Sequence, residues 1–198
     1  MVALTFDMGG RVEPARDIVN WLVANRIQAT IFMTGAMADN ANTEAGRDVL
    51  RLVDTHRDLF ALGNHSYSHP DFQTLSATEM RDELVRTEKS LAKYTGVSPR
   101  PFFRPPFGGV DGAVVDAVAA TGYSYTVMWD IDTIDWKPEA DGGPTSAEMV
   151  SKVATGVTGG SIVLMHLGGY NTLDALPTII RVLQTRGFEL VTLAAMLR

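Results

Sequence analysis

His65 and His69 stand four residues apart in His65-Ser66-Tyr67-Ser68-His69. On one turn of helix that spacing brings both imidazoles to the same side, within reach of one divalent ion. The same rings can equally cap a loop by bonding to backbone carbonyls. Asp7 follows Leu4-Thr5-Phe6 and runs into Met8-Gly9-Gly10, a place where a carboxylate serves as general base or closes a turn. Arg104-Pro105-Pro106-Phe107-Gly108 sets a guanidinium on a stiff double-proline turn. It is suited to grip a carboxylate with two prongs and keep it ionised, although a structural turn with a surface arginine reads the same way. Asp132-Thr133-Ile134-Asp135-Trp136 puts an aromatic beside an acid, and Leu164-Met165-His166 ends an apolar run on an imidazole. Of the four histidines in the chain, only His56 falls outside this set.

These residues need elements to bring them together. Short β-branched or aromatic runs at 2–6, 29–33, 60–62, 102–103, 124–129, 161–164 and 189–191 read as strands. Segments of helical period lie between them, near 13–25, 44–56, 78–94, 112–121, 147–155 and 173–186, with a short last one at 193–197. Ser76-Ala77-Thr78-Glu79 and Thr145-Ser146-Ala147-Glu148 fit the capping box, in which paired side chains satisfy the free amides at a helix start. Gly122 and Gly187 sit where helices should stop. Strand followed by helix, repeated about seven times, predicts an α/β fold with a parallel sheet and outer helices, either closed into a barrel or open and doubly wound. Both architectures build their sites at the carboxyl ends of the strands. Asp7, Asn64, His65, His69, Arg104, Asp130, Asp132, Asp135 and His166 all follow strands, so they should converge on one face.

Composition narrows the chemistry further. The 198 residues are 45% hydrophobic and 20% charged, which excludes a disordered chain and predicts one domain spanning 1–198. Seventeen basic against 23 acidic residues leave a net charge of −6, and no basic run provides a footprint for nucleic acid. Without any cysteine, disulfides, thiolate zinc sites and cysteine nucleophiles are excluded. No apolar stretch approaches the ~20 residues that span a bilayer. A strand directly after Met1 leaves no room for a signal peptide, so the expectation is either a cytoplasmic protein or one whose export segment has been removed.

Taken in order, Thr-Phe-Asp at 5–7, His-x-x-x-His at 65–69, Arg-x-Pro-Phe-Gly at 104–108, Asp-x-x-Asp-Trp at 132–136 and Leu-x-His at 164–166 resemble the motifs of the polysaccharide deacetylase family, also called carbohydrate esterase family 4. The resemblance implies a distorted (β/α) barrel of about seven parallel strands. It also implies metal-dependent removal of acetyl groups from an N- or O-acetylated carbohydrate of the chitin, peptidoglycan or xylan type. His65 and His69 look like the ligands of a divalent metal, usually zinc, with cobalt or nickel as alternatives, polarising the acetyl carbonyl and a water. Asp7 matches the catalytic base and Arg104 the residue that orients it. His166 matches the general acid, and Asp135 its partner that raises its pKa. Phe107 would offer its backbone amide to the oxyanion, while Trp136 and Leu164 would wall the pocket for the acetyl methyl. An acetylated glycan is the partner implied, with no protein partner predicted. By analogy with the family, the chain is expected outside the cell or at the cell wall.

One position departs from the family pattern. Where the first motif usually carries a second Asp as third metal ligand, this chain has Met8, a soft neutral donor poorly matched to zinc. Weaker metal binding follows, with waters or Asp7 filling the shell, and core packing is the expected role of Met8 itself. The alternatives that remain are a catalytically degenerate carbohydrate-binding protein and a hydrolase of a non-sugar C–N bond. Tyr67, Trp129 and Tyr170 are candidates to stack on sugar rings, although aromatics near strand ends commonly belong to the core.

Overall fold

In the computed structural model, which describes residues 1–197, the first strand shows why the chain folds as it does. β1 (Val2–Met8) is buried along its whole length, and successive side chains of a strand face opposite ways. Val2, Leu4, Phe6 and Met8 join the large apolar cluster beneath the helices. Ala3 belongs to a separate small cluster with Phe32, Phe102, Val127 and Leu193, and Thr5 and Asp7 share its side of the strand. Burial on both faces is the signature of a parallel sheet covered by helices.

β2 (Ala29–Met33), β3 (Phe60–Asn64), β4 (Phe102–Phe103), β5 (Tyr125–Thr126), β6 (Ile131–Asp132), β7 (Ile162–His166) and β8 (Leu190–Val191) complete the sheet. Its order is β5-β4-β3-β2-β1-β7-β6, with β8 beside β1, and every paired neighbour is parallel. The sheet curls into a distorted (β/α) half-barrel. β8 meets Val2 and Ala3, while β2 pairs with β1 only from Thr5 onward. Around the sheet lie α1 (Ala15–Ala24), α2 (Gly35–Ala38), α3 (Ala45–Thr55), α4 (Ala77–Leu91), α5 (Gly112–Ala120), α6 (Ser146–Gly156), α7 (Thr172–Thr185) and α8 (Leu193–Met196). Both capping boxes form, Ser76 with Glu79 on α4 and Thr145 with Glu148 on α6. Gly122 and Gly187 take positive φ just past α5 and α7, as helix stops do.

Two expectations need correction. The run 124–129 is not one strand: β5 ends at Thr126 and a separate strand, β6, follows at Ile131. The cause is Arg104, which donates from Nε to the Val127 carbonyl (3.3 Å) and from Nη2 to that of Met128 (3.4 Å), drawing those groups out of any ladder. The short helix α2, capped by the Thr34 side chain, was also absent from the sequence reading, being only four residues long.

Candidate active site

The register of the sheet builds the centre of the site. Asp7 on β1 is the Cα partner of His166 on β7, and Arg104 follows β4 with its amide bonded to the Asn64 carbonyl. Asp7 and Arg104 are both buried. The Arg104 Nη1 donates to Asp7 Oδ1 at 2.8 Å and to Thr5 Oγ1 at 2.9 Å, and the Thr5 hydroxyl in turn donates a hydrogen bond to the Val163 carbonyl. The grip is thus one nitrogen on one oxygen, not the two-pronged contact that the sequence suggested, because Nε and Nη2 are turned to the Val127 and Met128 carbonyls just past β5. Burial alone would raise the Asp7 pKa, but the Arg104 charge, aided by His65 and His166, holds it below the ordinary aspartate value. A buried carboxylate kept ionised, with Oδ2 outside that grip, has the properties of a proton acceptor.

The two histidines meet without a helix. Residues 65–69 form an irregular loop with bends at Tyr67 and Ser68 instead of a helical turn, with positive φ at Ser66 and His69. The loop is held from outside. Glu83 of α4 accepts the Tyr67 and Ser68 amides, each at 2.7 Å, and the Ser68 hydroxyl. Asn64 accepts the Ser66 amide and donates to the Leu84 carbonyl and the Tyr123 hydroxyl. His65 Nδ1 lies 2.9 Å from the Arg104 carbonyl, which fixes a proton there and turns the Nε2 lone pair toward His69 Nε2 at 3.2 Å. Burial pushes the His65 pKa down despite the pull of Asp7. Burial and the neighbouring His65 push His69 down to about 4. Both shifts favour the neutral ring that a metal ligand must present.

Their fit to a divalent cation is partial. An Nε2 separation of 3.2 Å is close to the ~3.3 Å edge of a tetrahedral zinc site with Zn–N bonds of ~2.0–2.1 Å, and the carbonyl behind His65 is a usual orienting partner. Yet no group of three or more His, Cys, Asp or Glu side chains among the described residues is arranged to hold a metal. Met8 offers no third donor: it is 1% exposed within the helix-facing core. The Asp7 Oδ2, 3.5 Å from His65 Nε2, is the nearest carboxylate oxygen.

On the other side of Asp7, the His166 Nδ1 lies 2.7 Å from Asp135 Oδ1. The second oxygen of Asp135 accepts the His166 amide at 2.8 Å and a short bond from the Thr172 hydroxyl at the start of α7. Burial works against the imidazolium, but the Asp135 hydrogen bond and charge override it, and His166 titrates above the usual histidine value. A cleft of about 510 Å³ opens over these groups, lined among others by Asp7, His65, His69, Phe107, Trp136, Leu164 and His166. Phe107 is left-handed in its backbone (φ 58°) and 74% exposed, its ring edge-on to His69 at 4.7 Å. Trp136 is half exposed, whereas Leu164 is buried in the cleft wall. Trp129 borders the cleft and Tyr170 is exposed nearby. Tyr67 does not join them: its ring packs on Arg86 at 3.7 Å and its hydroxyl points to Asp39. Asp130 accepts the Ile162 amide as a strand tie, and Asp132 borders the cleft.

Thr5, Glu83 and Thr172 support these groups and were not singled out from sequence, whereas Asn64, expected on the site face as a residue that follows a strand, ties the histidine loop to α4. The side-chain partners of Thr5, Glu83 and Thr172 lie 15 to 158 residues away, and only Thr5, inside the first motif, carried any local signal.

Residues 1–126 match the family model for polysaccharide deacetylase. A peptidoglycan-N-acetylglucosamine deacetylase of Bacillus cereus is 31% identical over 98% of this chain and 67% of its own length. Among solved structures, the CE4 family pseudoenzyme BA3943 of Bacillus anthracis superposes with a TM-score of 0.82 at 31% identity, covering 100% of this chain and 65% of that one. A mutant of that protein is described as having restored enzymatic activity. The peptidoglycan N-acetylglucosamine deacetylase Bc1960 gives a TM-score of 0.84 at 29% identity, covering 98% of this chain and 86% of that one. The chain spans 38% to 67% of the length of the first curated relatives. With the ordered motifs folded around one cleft and these likenesses along its length, the chain belongs to the polysaccharide deacetylase family.

Proposed function

We propose that this chain hydrolyses acetyl groups from an N-acetylated glycan of the peptidoglycan type, at or near the cell wall. The observation that carries the reading is the meeting of three pairs in one cleft: Asp7 with Arg104, His65 with His69, and His166 with Asp135. Asp7, ionised by Arg104, takes a proton from the attacking water. The Phe107 amide, with no backbone acceptor among the described residues, faces the developing oxyanion. His166, charged through Asp135, gives its proton to the departing amine. Trp136 and Leu164 close around the acetyl methyl. A divalent cation held by His65 and His69, zinc first and cobalt or nickel in its place, would supply Lewis-acid polarisation of the acetyl carbonyl. The substrate class is supported by the relatives named for peptidoglycan.

The test is acetate release from peptidoglycan strands and N-acetylglucosamine oligomers by metal-stripped protein titrated with zinc, cobalt and nickel. Release that appears with metal and vanishes in Asp7→Asn is the expected result. The core-facing Met8 and the missing third donor favour one second reading, a glycan-binding protein with lost turnover. Glycan affinity without acetate release at any metal concentration would select it.

A further inference from the structure

The cleft holds a cation that the proposed reaction does not use. Arg104 is buried and committed to Asp7, but Arg11, on the segment just after β1, is exposed and borders the same cleft. It is fixed, not loose: Nη1 donates to the Gly168 carbonyl at 3.1 Å and to that of Gly169 at 3.3 Å, and the guanidinium lies over the Tyr170 ring at 4.5 Å. The backbones are equally close. A Cβ on Gly168 would stand 1.9 Å from the Arg11 carbonyl oxygen, so residue 168 must lack a side chain for the two segments to meet. Nε and Nη2 have no acceptor among the described residues, and Arg11 makes no ion pair there. Asp132, the other acid at the cleft that is not tied to a catalytic partner, lends its charge to His166 instead.

A guanidinium held rigid by two carbonyls and an aromatic face, with its remaining donors free, is preorganised for a carboxylate. Its anchor, Gly168 and Gly169, is the turn directly after His166, on the side where the proton is delivered to the leaving group. We propose that Arg11 is a specificity-determining residue that binds a carboxylate borne by a sugar of the glycan close to the amine that His166 protonates. The proposal rests on the deacetylase reading and narrows it from acetylated glycans in general to acidic ones.

The test compares Arg11→Gln and Arg11→Lys with the unaltered protein. The substrates are peptide-free peptidoglycan strands with free lactyl carboxylates, the same strands converted to methyl amides, and peptide-bearing strands. Arg11→Gln should lower kcat/KM on the acidic strands at least about tenfold more than on the amides, through KM, with part of the loss recovered in Arg11→Lys. Equal losses on acid and amide would mean that Arg11 only props the turn after His166, and no loss would mean that it meets no anion; either overturns the proposal. Dependence on Arg11 seen only with peptide-bearing strands overturns the assignment to the sugar. Calorimetric titration with the same strands reads the site without turnover. An acid-over-amide preference lost in Arg11→Gln, with no acetate released by any form, supports the anion site while defeating the hydrolytic reading alone.

Discussion

The Asp7 carboxylate is secured on one oxygen by a guanidinium that has no access to water. Removing either member leaves the other buried without a counter-charge, a loss of about 3–5 kcal/mol. Arg104→Met is therefore expected to lower stability by about that amount at neutral pH in urea unfolding. With burial then opposed only by the neighbouring imidazoles, the Asp7 pKa rises, so the deficit should shrink in acid as the carboxylate takes up a proton, and the acidic limb of the activity profile should move to higher pH. His166 carries the opposite sign. Its raised pKa keeps the imidazolium populated, and activity is lost as pH rises through that value. Asp135→Asn withdraws the pull, and the alkaline limb should move to lower pH with a fall in kcat of about 10²–10⁴. An unmoved limb would show that another group delivers the proton.

At the scale of elements, the histidine loop depends on a helix that contributes nothing to the chemistry. Glu83 takes both amides that the bends at Tyr67 and Ser68 leave free. Glu83→Ala should speed hydrogen exchange at those two amides and weaken zinc binding by about 10–100-fold, with the rest of α4 unaffected. This dependence also explains what could be read in the sequence. The helices with capping boxes and the strands long enough to alternate were legible because their signals are local. The His65 to His69 spacing suggested a helical turn, and nothing within five residues reveals that a glutamate fourteen positions further on holds it as a loop. Likewise the split between β5 and β6 follows from an arginine more than twenty residues upstream. Asp7, Arg104, Asp135 and His166 were legible as an ordered set, and the structure brings them together, but Thr5, Thr172 and Arg11 act through contacts that only the folded sheet creates.

Across the whole molecule, Met8 ties the metal question to stability. Its side chain lies in the core shared with α1, α3, α6 and α7, while the next residue, Gly9, abuts His69: a Cβ there would be 3.0 Å from the ring. In Met8→Asp the carboxylate must either stay buried at a cost of several kcal/mol or turn toward the histidines. The variant should melt lower than the unaltered protein without metal and gain more from saturating zinc, since a ligand that binds only the folded state raises its stability. Equal zinc shifts in the two proteins would show that position 8 cannot reach the pair. A different consequence follows from β8. It pairs with Val2 and Ala3, and α8 packs beneath them against Ala3 and Phe32, so the first and last described residues leave the sheet at its amino end. Asp7 and His166 stand at the carboxyl end of the same strands, about 16 Å away at the usual rise per residue. Protein fixed to a bead through the amino end of the sheet, where β8 pairs with the start of β1, should thus present the cleft outward to an insoluble polymer.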